Sequence, residues 1–161
     1  MVTMTASRTR KSIGKAKGFT LIELLIVVAL LIIVGSISYG AFQRMAINGN
    51  LRTAARDITS EIANLRQRAM AETTALTMTF GAGTYTVPQQ GGGAVTKNLT
   101  DFGRDIVFTR VDLGGGGTTL TFQSRGTTMQ GGNVDLQNSR QSTAVININA
   151  AGRVNVQFNM Q

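Results

Sequence analysis

The sequence predicts an α+β protein in which a long N-terminal helix is followed by an antiparallel, β-rich C-terminal head. A predominantly apolar run with a single charged residue occupies 19–42. After Leu51, apolar residues recur at spacings of three and four, the period of a helix with one apolar face. From Thr74 onward apolar and polar residues alternate, and Thr, Val, Ile and Gly are common. This second pattern indicates short strands joined by turns.

The apolar run is long enough to cross a membrane as a helix. At about 1.5 Å per residue, about twenty residues span the roughly 30 Å hydrocarbon core of a bilayer. The one charge, Glu23, would cost on the order of 3 kcal/mol at membrane depth without a partner, so it predicts one. The residues before the run include five basic and no acidic side chains. By the positive-inside rule, this flank places the N-terminus in the cytoplasm and the head on the other side.

The start of the apolar run resembles a known family. Lys15-Ala16-Lys17-Gly18 followed by Phe19-Thr20-Leu21-Ile22-Glu23 is similar to the cleavage signature of type IV pilins and type II secretion pseudopilins. The resemblance implies that a prepilin peptidase cuts between Gly18 and Phe19 and that the Phe19 amine is N-methylated. In a filament, Glu23 would pair with the ammonium of a neighbouring Phe19 and set the register of assembly. The alternative is a plain signal anchor that tolerates an acidic residue near the interface.

The stretch after the run predicts an amphipathic half of the helix over 43–73, and Asn48-Gly49-Asn50 predicts a kink or brief interruption within it. The opposite, charged face is either solvated, which is favoured, or a contact for an anionic surface. The predicted apolar stripe consists of Leu51, Ala55, Ile58, Ile62, Leu65 and Ala69, and the charged face carries Arg52, Arg56, Glu61, Arg66 and Arg68.

The remainder predicts an all-β segment over 74–161. The strands are expected at 76–80, 84–87, 105–113, 118–122, 133–136, 143–149 and 153–158. The first two form one hairpin and the last two another, with Ala144, Ile146 and Ile148 opposite Val154, Val156 and Phe158. The glycine runs at 91–93 and 114–117 are expected to be loops. Neither has the Lys-Ser/Thr ending of a nucleotide-binding loop.

The amino-acid composition excludes several kinds of catalytic group. The chain has no cysteine, histidine or tryptophan, which excludes disulfides, thiolates and imidazole bases. We therefore expect no enzymatic activity, no cofactor and no essential metal. After removal of 1–18, the side chains carry 11 − 8 = +3 charges, too few to argue for nucleic-acid binding without a clustered basic face.

Three later segments, 65–80, 120–126 and 145–154, resemble the GspH-type (H-type) minor pseudopilins of type II secretion and the related FimT minor pilins. The resemblance implies two small β-sheets packed on the helix and a structural subunit that helps to initiate or cap a short periplasmic filament for protein secretion. The expected segments are a cleaved leader (1–18), a membrane or filament-core helix (19–42), its amphipathic half (43–73) and the head (74–161). The expected location is the bacterial inner membrane, and the expected partners are prepilin peptidase, other pilins or pseudopilins, membrane lipid and secreted cargo.

The alternative is a FimT-like minor pilin that binds DNA nonspecifically for natural transformation. Some FimT-like proteins carry a Gly-Arg pair followed by an arginine two positions on; here Gly152-Arg153 is followed by Asn155. No lysine or arginine follows Arg153, which favours a turn-flanking surface residue over a phosphate contact. The candidate DNA contacts are Arg125, Arg140 and Arg153, together with Lys97 if these side chains converge in the fold.

Overall fold

The computed structural model describes residues 18–161, with the side chains of 37–39 excepted, so the predicted leader lies outside the described residues apart from Gly18. Helix α1 spans Leu21–Ala71 and eight strands follow it. By contact density the chain divides into two compact units between Tyr39 and Gly40. The second unit contains the C-terminal part of α1 and all the strands.

The eight strands form two antiparallel sheets of four. The strands are β1 (Leu76–Phe80), β2 (Thr84–Pro88), β3 (Ala94–Asn98), β4 (Val107–Leu113), β5 (Thr119–Phe122), β6 (Gly132–Gln137), β7 (Thr143–Ile148) and β8 (Val154–Asn159). The first sheet has the order β3-β2-β1-β5 and the second has the order β4-β6-β7-β8. A short 3-10 turn, Leu99–Asp101, separates β3 from β4. This arrangement confirms the predicted α+β class with two small sheets.

One hydrophobic core joins α1 to the inner faces of both sheets. The predicted helix stripe is buried, each member being at most 1% exposed, and Ala54 joins it. Both predicted hairpins are present: β1 pairs with β2, and β7 pairs with β8 in the expected register, with Ile146 opposite Val156. The sheets contribute Met78, Phe80, Tyr85, Val87, Leu120, Phe122, Val134, Leu136, Ala144, Ile146 and Ile148.

Two local expectations are wrong. The predicted interruption at 48–50 does not occur, because α1 continues through these residues. The Asn48 carboxamide oxygen accepts hydrogen bonds from Asn138 Nδ2 (3.0 Å) and Ser142 Oγ (2.9 Å), so tertiary contacts outweigh the weak helix propensity. The expected strands also omit β3, whose residues are mostly exposed and show no apolar alternation.

Candidate functional site

The expected cleavage point lies in non-helical backbone immediately before α1. Residues 18–20 are not helical, and Phe19 is 81% exposed. The Thr20 hydroxyl oxygen accepts a hydrogen bond from the Glu23 N–H (3.3 Å), so Thr20 caps the helix. The spacing Thr-x-x-Glu is the sequence signature of such a cap, and it would have identified the helix start. The Gly18–Phe19 bond is therefore separated from the regular helix by Thr20.

The apolar part of α1 exposes its large side chains. Leu21 is 80% exposed and Val34 is 61% exposed, and α1 is long and apolar enough to cross a membrane. Glu23 is the one charged residue in 19–42. Its carboxylate has no hydrogen-bond or ion-pair partner among residues 18–161. An exposed apolar helix with one unpaired carboxylate is a surface that requires lipid or other helices around it.

Two of the candidate cations, Arg125 and Arg153, lie at one end of the head. Arg125 precedes the buried Gly126, and Arg153 follows the buried Gly152. These two glycines are in direct contact. The contact is reinforced by Arg66 of α1, whose Nε donates a hydrogen bond to the Gly126 carbonyl oxygen (2.9 Å). The guanidinium groups of Arg125 and Arg153 have no partner among the described residues. This end of the head thus gathers three arginines.

Arg140 lies at the opposite end of the head. It belongs to the β6–β7 turn, which is held to Asn48 through Asn138 and Ser142, and it lines a surface depression with Gln43, Ile47, Ser139 and Gln161. Asn48 and Arg66 are separated by about 27 Å along a helix that rises 1.5 Å per residue. Arg140 therefore lies apart from Arg125 and Arg153, and the structure does not bring these three candidate cations together.

Lys97, the fourth candidate cation, is held in ion pairs with α1. Its ammonium group donates to both Asp57 carboxylate oxygens (2.8 and 3.1 Å) and to Glu61 Oε1 (2.7 Å). The buried Tyr85 hydroxyl donates to Asp57 Oδ2 (2.5 Å). The four side chains, here called the lysine cluster, join α1 to β2 and β3. The sequence feature that could have indicated the lysine cluster is the i, i+4 spacing of Asp57 and Glu61, which places both carboxylates on one face of α1.

The lysine cluster perturbs two pKa values in the same direction. Burial and the neighbouring Asp57 carboxylate raise the pKa of the Tyr85 phenol, because both disfavour the phenolate. Burial lowers the pKa of Lys97, but the hydrogen bonds and charges of Asp57 and Glu61 outweigh burial and raise it. Lys97 therefore stays protonated at neutral pH, and the lysine cluster is a structural ion-pair network.

The charged face of α1 is only partly solvated. Arg52 and Arg56 are exposed, as expected. Arg66 and Arg68 instead donate to carbonyl oxygens of the head, Arg66 to Gly126 (2.9 Å) and Arg68 Nη1 to Pro88 (2.5 Å). Arg68 Nε also donates to the side-chain carboxylate of Glu72 (3.1 Å). Within residues 18–161, no three acidic side chains gather in a way that would hold a metal ion.

Comparisons with known proteins agree with this geometry. The prokaryotic N-terminal methylation motif matches residues 13–39, and the family of the type II transport protein GspH matches residues 54–152. No curated protein matches the chain. Two crystal structures of the type IV minor pilin FimU of Pseudomonas aeruginosa share the fold. One has a TM-score of 0.53 at 14% identity over 68% of this chain and 89% of FimU; the other has 0.51 at 15% identity over 66% and 92%.

Proposed function

Because this chain belongs to the family of the type II transport protein GspH, we propose that it is a minor pseudopilin of a type II secretion or type IV pilus-like system. In this role it helps to initiate or cap a short periplasmic filament that serves protein secretion. The family and the fold are those of structural pilin subunits, so the chain is not an enzyme. The fold shared with a type IV minor pilin supports a subunit of this class.

The observation that carries the proposal is the exposed apolar surface of α1 with the unpaired Glu23 in its first turn. Such a surface is stable in lipid before assembly and among the helices of other subunits afterwards. The methylation motif supports processing by prepilin peptidase between Gly18 and Phe19, followed by N-methylation of Phe19. Processing would leave a mature chain in which the Phe19 ammonium lies four residues before Glu23.

Glu23 has the role of an assembly key in this proposal. A neighbouring Phe19 ammonium at about 4 Å would attract the carboxylate by about 4 kcal/mol at an effective dielectric constant of 20.

The subunit lies in the bacterial inner membrane with its N-terminus in the cytoplasm and its head in the periplasm. Residues 1–18 form the leader, and residues 19–42 form the membrane and filament-core helix. Residues 43–73 form the amphipathic half of the helix, and residues 74–161 form the head. Its partners are prepilin peptidase, membrane lipid, other pilins or pseudopilins and secreted cargo.

The test is incorporation of the full chain into filaments. Glu23→Val and the isosteric Glu23→Gln are both expected to remain in the membrane fraction but to be depleted from purified filaments, because the charge pair is lost while hydrophobic insertion remains. Ser36→Val is the matched control, since among the described residues the Ser36 hydroxyl bonds to the Ile33 carbonyl oxygen of its own helix alone (2.8 Å). Incorporation of Glu23→Val at the wild-type level would refute the assembly role. Mass spectrometry of the mature N-terminus tests cleavage and methylation directly.

A second candidate function is nonspecific DNA binding for natural transformation. The observation in its favour is that the turns bearing Arg125 and Arg153 pack together beside Arg66. Against it, Asn155 replaces a further arginine, and Lys97 is held by two carboxylates. The test is binding of the full chain in detergent micelles to a DNA duplex across a salt series. DNA binding predicts a steep loss of affinity with salt and weaker binding by Arg125→Ala and Arg153→Ala, with Arg140→Ala as a control at the far end. Absence of binding at low salt would exclude this function.

A further inference from the structure

The two sheets have four edge strands, and three of them carry features that discourage pairing with another chain. β3 carries Lys97, which points inward to Asp57 and Glu61. β5 is only four residues long. β4 has a bulge between Phe108 and Arg110 and bears the exposed ion pair of Arg110 with Asp112. Short strands, bulges and inward charges are the devices by which proteins protect an open edge.

β8 has none of these features. It spans six residues, Val154–Asn159, without a charge or a proline, and it pairs with β7 without a register shift. The Asn149 N–H bonds to the Arg153 carbonyl (3.1 Å), and this pair continues the β7–β8 register. Because bonded pairs alternate in an antiparallel ladder, the N–H and C=O groups of Val154, Val156 and Phe158 point to the open edge. Within residues 18–161 they have no other hydrogen-bond partner.

The inner face of β8 is also incompletely covered. Its partner residues on β7, Ala144, Ile146 and Ile148, are at most 4% exposed. Val154, Val156 and Phe158 pack against the same core but remain half-buried. A further strand alongside β8 would cover them if it presented apolar side chains at alternate positions on that face.

The charges around β8 define the partner further. Arg153 lies directly before the strand, and Arg140 lines the depression that contains Gln161, just after the strand. Neither guanidinium has a partner among the described residues. A second β8 in antiparallel pairing would bring Arg153 of one copy toward Arg140 of the other. Like charges at both ends therefore disfavour pairing between two copies of this chain.

We propose that β8 is a docking edge that accepts an extended strand from a neighbouring filament subunit, apolar at alternate residues and flanked by carboxylates. The added strand bonds to the open backbone groups of Val154, Val156 and Phe158, covers their side chains, and places its carboxylates against Arg153 and Arg140. The inference rests on the proposed function, which supplies the neighbouring subunits.

The test uses two synthetic capped peptides, ETVTVTVE and its control KTVTVTVK, with the isotopically labelled full chain in detergent micelles. In the free chain, the amides of Val154, Val156 and Phe158 are expected to exchange with solvent faster than those of Asn155 and Gln157, which bond to β7. The acidic peptide should slow exchange at the first three amides by about tenfold or more. It should also bind about tenfold more tightly than the basic peptide, since two ion pairs replace two repulsions.

Charge reversal provides the second measurement, because these surface changes leave the core intact. The double variant Arg140→Glu and Arg153→Glu should reverse the preference between the two peptides. No binding of ETVTVTVE at millimolar concentration, equal binding of both peptides, or protection at the β3 or β4 edge instead of β8 would overturn the proposal. The incorporation assay on Glu23 variants is independent of these peptides. Failure at β8 with normal dependence on Glu23 would overturn the docking edge and leave the filament role intact.

Discussion

Replacing Gly152 with alanine tests the contact that joins the turns bearing Arg125 and Arg153. Gly152 has φ of +74°, a left-handed conformation that costs an alanine about 1–2 kcal/mol. An added Cβ would lie 2.9 Å from Arg66 Nε and would overlap the Gly126 carbonyl oxygen. Relieving the overlap requires one turn to move. That movement weakens the hydrogen bond from Arg66 to Gly126, because the same oxygen is the acceptor.

The expected loss of stability has three sources: the backbone conformation, the steric overlap and the weakened hydrogen bond. Forcing an extra methyl group into a close-packed contact costs about 1–3 kcal/mol. A hydrogen bond to a charged group contributes about 1.5–3 kcal/mol. These costs overlap, because the movement that relieves the first incurs the second. With the backbone cost included, Gly152→Ala should lower the free energy of unfolding by about 3–5 kcal/mol.

Gly115→Ala is the matched control. Gly115 also has a positive φ, +85°, but a Cβ there would meet no heavy atom within 4 Å among the described residues. Its cost should be the backbone cost alone, about 1–2 kcal/mol. Urea denaturation of both variants in micelles, followed by far-ultraviolet circular dichroism, measures the difference. Equal destabilisation by the two variants would refute a close contact between Gly152 and Gly126.

Three further changes have defined outcomes. Lys97→Met should lower the free energy of unfolding by about 1–2 kcal/mol at neutral pH, because Asp57 and Glu61 are then left facing each other, with solvent screening the repulsion; an unchanged urea midpoint would contradict this. Tyr85→Phe should lose about 1–2 kcal/mol at neutral pH. The folded-state pKa of Tyr85 is raised, so wild-type stability should fall as pH rises above about 10, where the tyrosine of the unfolded chain ionises. The stability difference between the wild type and Tyr85→Phe should therefore shrink above that pH. A constant difference between the two urea midpoints up to pH 11 would contradict this expectation. Arg110→Ala should leave the midpoint unchanged, because that arginine is exposed, and a clear decrease would show that its ion pair supports β4.

The sequence predicted those parts of the fold that local periodicity determines. The stripe from Leu51 to Ala69 repeats every three to four residues and is buried throughout. The alternation in β7 and β8 fixes both their inner faces and their register. β3 was missed because its burial pattern does not alternate: it is an exposed edge strand, and its formation depends on pairing with β2 and on the contact of Lys97 with α1.

Side-chain partners proved harder to predict, because they depend on residues far apart in the chain. The sequence around Asn48 predicts a break in the helix. In the structure, the Asn48 carboxamide oxygen accepts hydrogen bonds from Asn138 and Ser142, about ninety residues later in the chain, and the helix continues. Arg140 and Arg153 are near in sequence and occupy opposite ends of a hairpin. The six residues of β7, at about 3.3 Å per residue, hold them about 20 Å apart. Charge counting could predict a mildly basic head, but it could not predict that the turns bearing Arg125 and Arg153 pack against each other.

The anchoring of the β7–β8 hairpin also bears on the docking edge. At one end, the Ser142 hydroxyl bonds to Asn48 and accepts a hydrogen bond from the Gln161 N–H (2.9 Å). At the other end, Gly152 packs on Gly126, which Arg66 holds from α1. An edge strand fixed at both ends loses little conformational freedom when a partner strand adds to it, so less of the interaction energy is spent on ordering. The same contacts that stabilise the second sheet therefore preorganise β8 for pairing.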